Sequence, residues 1–182
     1  MKKISFTLLV SILSLTGFAQ NKPKSIYDFS VKSIDGNTFN FSSLKGKKII
    51  IVNTASECGN TPQYGALEEI YKKYKSKNVV VIGFPANNFG AQEPGTDKEI
   101  KSFCSKNYAV SFPMMSKISV KGSDIAPIYK WLTEKASNGV KDAPVTWNFQ
   151  KFLIDEKGNW VESIAPKTAP LSSKELMDFI SK

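Results

Sequence analysis

The chain has 182 residues, a length that suits a single domain, and its 41% hydrophobic content supplies an ordinary core and excludes a disordered chain. Its net charge is +9, and every basic residue is lysine: the sequence contains no arginine and no histidine. That excludes imidazole as base, metal ligand or proton shuttle, and excludes a guanidinium fork for phosphate or carboxylate. No cofactor or metal is expected.

The chain opens with Lys2 and Lys3, an apolar stretch from Phe6 to Leu15, and then the small residues Gly17 and Ala19. This pattern reads as a removable secretory signal over residues 1–19, and the apolar stretch is too short for a convincing membrane span. An uncleaved anchor is the less favoured alternative. The expected location is therefore periplasmic or extracellular. Polar residues 20–26 read as a short linker, and 27–182 as one domain.

Tyr27–Ile34 and Asn37–Phe41 flank Asp35-Gly36 and predict a β-hairpin. Lys48–Asn53 predicts an interior parallel strand, from its unbroken apolar centre. A loop, Thr54–Asn60, carries Cys58. Thr61 is expected to cap the next helix, with Pro62 at its first position. Tyr64, Leu67, Ile70, Tyr71 and Tyr74 recur at helical spacing, and Val79–Phe84 is the next strand. The lysines of this helix, Lys72, Lys73, Lys75 and Lys77, read as a solvated basic face, so no nucleic-acid partner is expected.

After a glycine-rich loop, Pro85–Gly95, Thr96 and Glu99 form a capping-box pattern ahead of Ile100, Phe103 and Cys104 on one helical face. Ile125, Ile128, Tyr129 and Leu132 mark another helix. Phe152–Ile154 and Trp160–Ile164 flank a second hairpin turn, and Ser172 with Glu175 opens a last helix bearing Leu176, Phe179 and Ile180. The order is that of an α/β, thioredoxin-like fold with an added N-terminal β-hairpin.

Cys58 and Cys104 are the only cysteines. In an exported protein a pair of cysteines ordinarily means one structural disulfide. Cys58, however, lies between a buried strand and a helix N-terminus, a setting that suits a nucleophilic thiolate. Gly59, Asn60 and Thr61 follow it, so there is no CxxC motif.

Three separated runs make the reading more specific. Val52–Tyr64 around Cys58, Gly83–Gly95, and Trp147–Leu153 resemble, in the same order, the three signatures of the glutathione peroxidase family. The resemblance extends from about Tyr27 to Ile180. It implies a catalytic set of Cys58, Gln92, Trp147 and Asn148, acting on hydrogen peroxide and organic hydroperoxides. It also implies that Cys104 is the resolving cysteine, condensing with the sulfenic acid of Cys58 before a thioredoxin-like partner reduces the disulfide. Without the motifs, Trp147 reads as a core aromatic, and Gln92 and Asn148 as loop caps.

Three positions depart from the family pattern. Ala86 stands where many members carry another cysteine. Asn88 stands where glutamine is common. Glu57 stands where a basic or neutral residue is frequent, and its carboxylate opposes thiolate formation unless it points into solvent. The stretch between Trp131 and Trp147 lacks the longer insertion of tetrameric family members, so the resemblance implies a monomer or weak dimer with an open site, one that admits lipid hydroperoxides at a membrane surface. A secreted thioredoxin-fold binding module with a permanent disulfide, and a peroxide sensor, are the alternative readings.

Overall fold

A computed structural model describes residues 25–182; the expected signal segment and most of the expected linker lie outside the described residues. The polar composition of residues 20–26 reads as a linker, yet Ser25 caps a single 3-10 turn, Ile26–Asp28, and Ile26 is fully buried. Ser25 and Ile26, at the end of that stretch, are therefore part of the packed fold. The turn also shortens the predicted hairpin to β1 (Ser30–Lys32) and β2 (Thr38–Asn40), paired Val31 to Phe39. Gly36 adopts φ +81° in the connecting turn, a conformation open to glycine at no steric cost.

The main sheet has the order β4-β3-β5-β6. β3 (Lys48–Thr54) runs parallel to β4 (Val79–Pro85), with Ile50 opposite Val81. The helix α1 (Gln63–Tyr74) makes the crossover that a parallel pair requires. β5 (Lys151–Ile154) is antiparallel to β3, and β6 (Trp160–Ile164) is antiparallel to β5. The arrangement is the thioredoxin-like one that the element order predicts, with the hairpin added at the N-terminus.

Both sheet faces are covered, which explains the continuous apolar runs of β3 and β4. Ile49, Ile51, Ile82, Phe84 and Phe152 pack on the side of the hairpin and α3 (Pro127–Thr133). Ile50, Val52, Val81 and Leu153 face the opposite side, with α1, α2 (Asp97–Tyr108) and, after the short α4 (Lys135–Asn138), α5 (Lys174–Ser181). Each such fully buried aliphatic or aromatic side chain contributes about 1.5–3 kcal/mol. Cys58 and Cys104 both lie in this second cluster.

Two predicted caps move. Ser173, not Ser172, accepts the Leu176 N–H at 3.2 Å, because Ser172 is taken up in the 3-10 turn Pro170–Ser172. Ile125 lies ahead of α3, which starts at Pro127, where a missing N–H costs nothing.

Residues 113–115 run along the outer edge of β4: Gly83 N–H donates to Pro113 O at 3.0 Å, and Met115 N–H donates to Gly83 O at 2.8 Å. A Cβ on Gly83 would meet Met114 Sδ at 2.3 Å, so the Met114 thioether fills the space that a side chain at position 83 would need. At the other end of the sheet, Lys151 Nζ is buried and donates to Pro166 O and Thr168 O at 3.3 and 2.7 Å. Gln63 Nε2, in the first turn of α1, donates to the same Pro166 oxygen at 2.8 Å. Burial pushes the Lys151 ammonium down to about 7.

Candidate active site

The loop after β3 is shaped around one hydroxyl. Thr61 Oγ1 accepts the Cys58 N–H at 3.1 Å and donates to Ala55 O at 2.9 Å. Thr61 is therefore not the helix cap that its position before Pro62 predicts. Pro62 occupies the cap position with helical dihedrals and no side-chain bond. A run of tight turns, from Thr61 N–H to Cys58 O through Gly65 N–H to Pro62 O, supplies the backbone partners instead.

Within this loop Asn60 N–H donates to Cys58 Sγ at 3.4 Å. Cys58 is 8% exposed, its sulfur held by this backbone N–H at the edge of the core. Asn60 Nδ2 then reaches Asn148 O at 3.2 Å, and Asn148 Nδ2 donates to Gln92 Oε1 at 3.0 Å. Gln92 also returns to the Cys58 loop through its carbonyl, which accepts the Glu57 N–H at 3.0 Å. Three distant segments thus meet beside Cys58. Asn148 is fully buried, and its Oδ1 has no partner.

The segment bearing Trp147 and Asn148 is positioned by a residue to which the sequence reading assigned no role. Asn53, at the end of β3, accepts from Gln150 N–H through Oδ1 at 3.1 Å and donates from Nδ2 to Trp147 O at 3.1 Å. Its own carbonyl accepts the Phe149 N–H at 2.7 Å. These bonds hold Phe149 at φ +68°, a conformation that costs a non-glycine residue about 1–3 kcal/mol. The signal was available: a buried strand ending in asparagine needs partners for its amide. Trp147 itself stands at the rim, 42% exposed, with its ring 5.4 Å from Phe89. Lys121 Nζ sits 4.7 Å from the Phe89 centroid on the same rim.

The three unusual positions find physical explanations. Glu57 is exposed, pointing to solvent. Ala86 is fully buried in the core. Asn88 fastens the following loop, donating to Ser119 Oγ at 2.9 Å and accepting the Val120 N–H at 2.9 Å.

Cys104 lies in the middle of α2, whose start carries the predicted Thr96–Glu99 capping box. Both cysteines are free thiols. Cys104 is only 2% exposed, and burial pushes its thiol up to about 11, with the neighbouring Tyr64 phenol pulling the other way and the charge of Glu93 adding to the rise. Glu93, adjacent in sequence to Gln92, is 1% exposed. Its carboxyl is pushed up to about 7 by burial, against the pull of Ser56 and Lys117. Among the described residues, no group of three or more His, Cys, Asp or Glu side chains could hold a metal ion.

The family model described as glutathione peroxidase matches residues 26–133, a span that includes Cys58, Gln92 and Cys104. The chain belongs to the glutathione peroxidase family. Glutathione peroxidase-like peroxiredoxin 2 of Saccharomyces cerevisiae is 46% identical over 87% of this chain and 98% of its own length. The glutathione peroxidase of Lactococcus lactis subsp. cremoris is 44% identical over 83% of this chain and 96% of its own. The crystal structure of T. cruzi GPX1 superposes with a TM-score of 0.66 at 32% identity, covering 87% of this chain and 97% of that one. Membership in the glutathione peroxidase family makes the chain a thiol peroxidase, and its fold carries no CxxC at the Cys58 loop.

Proposed function

We propose that this glutathione peroxidase-like enzyme reduces hydrogen peroxide and organic hydroperoxides through a Cys58–Cys104 cycle that a thioredoxin-like protein completes. The observation that carries this reading is the convergence of Asn60, Asn148 and Gln92 on the loop that holds Cys58 Sγ. The Cys58 thiolate attacks one peroxide oxygen, the O–O bond breaks, and the second oxygen leaves as water or alcohol after taking a proton. Amide N–H groups of Gln92 and Asn148, with the Trp147 indole at the rim, stabilise the charge that develops there. Cys58 is left as a sulfenic acid. Cys104 attacks it, a disulfide forms and water leaves. A dithiol partner then restores both thiols.

The exposed Trp147, standing over the buried Phe89, favours an open site on a monomer or weak dimer, one that admits lipid hydroperoxides presented at a membrane surface. The N-terminal pattern favours export, with a mature chain beginning at or near Gln20. Intact-mass measurement on protein from the native host tests export; a chain retained from Met1 in the cytoplasm refutes it.

The cycle is tested by titrating thiols before and after one equivalent of peroxide, then supplying thioredoxin and its reductase. Two free thiols at the start, their loss with peroxide, and repeated peroxide consumption support it. A protein with no free thiol at the start is the binding module. One that reacts once and never turns over is the sensor.

A further inference from the structure

A hydroperoxide larger than hydrogen peroxide must rest the remainder of its body on the surface around Cys58. Two surfaces border the loops that meet there. One is a groove of about 470 Å³ whose lining includes Ser56, Glu57, Glu93 and Glu99. Glu57 and Glu99 are both exposed and give it a negative edge. The other is the rim of Trp147, Phe89 and Lys121, none of which lines that groove.

The rim is tied to the nucleophile loop by hydrogen bonds. Trp147 precedes Asn148, whose carbonyl accepts from Asn60 Nδ2 at 3.2 Å and whose amide donates to Gln92 at 3.0 Å. Asn60 N–H in turn donates to Cys58 Sγ. The exposed indole tilts 48° against the Phe89 ring, and Lys121 Nζ stands 4.7 Å from the centroid of that same ring. An exposed indole offers an apolar surface to an alkyl chain. The ammonium on the adjoining ring offers a charge to that chain's polar end.

The position of Lys121 is built by the residue next to Phe89. Asn88 Nδ2 donates to Ser119 Oγ at 2.9 Å and to Lys121 O at 3.3 Å, and Asn88 Oδ1 accepts the Val120 N–H at 2.9 Å. Asn88 therefore fixes the backbone of the lysine whose ammonium lies over its own neighbour, a use for the asparagine found where the family pattern commonly has glutamine. The acid of this turn, Asp124, accepts from Ser119 Oγ through Oδ1 at 3.0 Å. Among the described residues no ion pair involves Lys121, so its exposed charge is not neutralised by a neighbouring carboxylate.

We propose that this rim makes the enzyme prefer hydroperoxides of free fatty acids, with the alkyl chain across Trp147 and the carboxylate on the Lys121 ammonium. This rests on the peroxidase reading above and names the class of organic hydroperoxide that the site takes best. The chemistry at sulfur is the step already given, and Lys121 touches only the far end of the substrate. In a chain with no arginine there is no guanidinium fork, and a single ammonium matches a lone carboxylate. The flexible chain between the two ends absorbs the distance from the hydroperoxide to the head. Glu57 and Glu99 repel the carboxylate from the groove, so charge also sets the direction in which the chain lies.

The test compares second-order rate constants for oxidation of the reduced protein. The oxidants are hydrogen peroxide, linoleic acid hydroperoxide, its methyl ester and the matching phosphatidylglycerol hydroperoxide, all in the same nonionic micelles. The wild type should react faster with the acid than with the ester, and added salt should shrink the difference. Lys121→Gln should slow the reaction with the acid by about two- to fivefold and leave the ester and hydrogen peroxide unchanged. Lys121→Glu should reverse the preference, and Lys121→Arg should keep it. Lys73→Gln removes the same charge at the C-terminal end of α1, away from the Cys58 loop, and should behave as the wild type. Equal rates with acid and ester in the wild type overturn the proposal. So does an equal loss in Lys121→Gln and Lys73→Gln, which would trace the preference to net charge alone. A Lys121-dependent preference confined to the phosphatidylglycerol hydroperoxide would put a phosphate in place of the carboxylate and overturn the assignment as stated. Each of these results leaves the peroxidase reading standing. If the reduced protein consumes no hydrogen peroxide, that reading fails and this proposal falls with it.

Discussion

Asn148 Nδ2 donates to Gln92 Oε1 at 3.0 Å, and the other oxygen-bearing end of the Asn148 amide is buried with no partner. The two residues come from loops far apart in sequence. Asn53 fixes one loop and the Glu57 N–H fixes the other. The bond therefore joins two independently supported loops, and it directs the Gln92 Nε2 hydrogens toward another acceptor. An amide pair arranged in this way can offer donors to an oxygen that becomes negative, at little reorganisation cost.

Removing Gln92 should then do two things at once. Gln92→Ala leaves the whole Asn148 amide unpaired in a buried place, at a cost of about 1–3 kcal/mol. It should also slow the oxidation of Cys58 by peroxide about tenfold or more. Urea unfolding reads the first effect and stopped-flow peroxide consumption the second. Normal reactivity in Gln92→Ala, Asn148→Ala and Trp147→Phe together would remove these residues from the site.

Thr61 offers a sharper separation of hydroxyl from shape. Thr61→Val keeps the volume and leaves Cys58 N–H and Ala55 O unpaired, a loss of about 2 kcal/mol or more. Cys58 should react more slowly with peroxide because its loop is no longer fastened. Thr61→Ser should recover most of both. Equal behaviour of the valine and serine variants would contradict the role of the hydroxyl.

Gly83→Ala should lower stability by about 1–3 kcal/mol, since the new methyl group overlaps Met114. Pairing it with Met114→Ala should restore part of that loss relative to Met114→Ala alone. A double-mutant cycle in urea checks the coupling.

Glu93 also makes a prediction for stability against pH. Its folded value of about 7 lies above the ordinary 4.5, so the folded state holds the proton over the interval between them. The stability tied to that proton is fully present below the ordinary value and is lost as pH rises through about 7. The swing is on the order of 3 kcal/mol. Glu93→Gln should therefore gain melting temperature relative to the wild type at pH 8, and gain less at pH 5. The reverse order would exclude a buried carboxyl at this position.

The sequence made the order of elements legible because apolar periodicity and turn chemistry are local. The Asp35-Gly36 turn, the Thr96–Glu99 box and the helical stripe of α1 each depend on residues within a few positions. The motif around Cys58 was legible for the same reason. What escaped depends on distant partners. Asn53 acts on residues 147–150, and Glu68 in α1 holds Ser111 through its N–H at 2.8 Å and its hydroxyl at 2.6 Å. Thr61 was misread because a local cap pattern and a loop clasp use the same residue type, and only the path of the chain decides between them. The burial of Glu93 was likewise invisible, since nothing in a glycine-rich loop tells a solvated carboxylate from an enclosed one.

Pro166 O receives Gln63 from the start of α1 and Lys151 from the sheet. That single carbonyl makes the C-terminal segment a part of the support behind Cys58. The helix that follows the nucleophile loop is tethered at its first turn to residues that lie just ahead of α5, and Leu176 and Ile180 of α5 pack into the cluster that holds both cysteines. Mechanically, the last seventeen or so positions act as a buttress, so damage at the far end of the chain, by proteolysis or truncation, would register first as a loosened nucleophile loop.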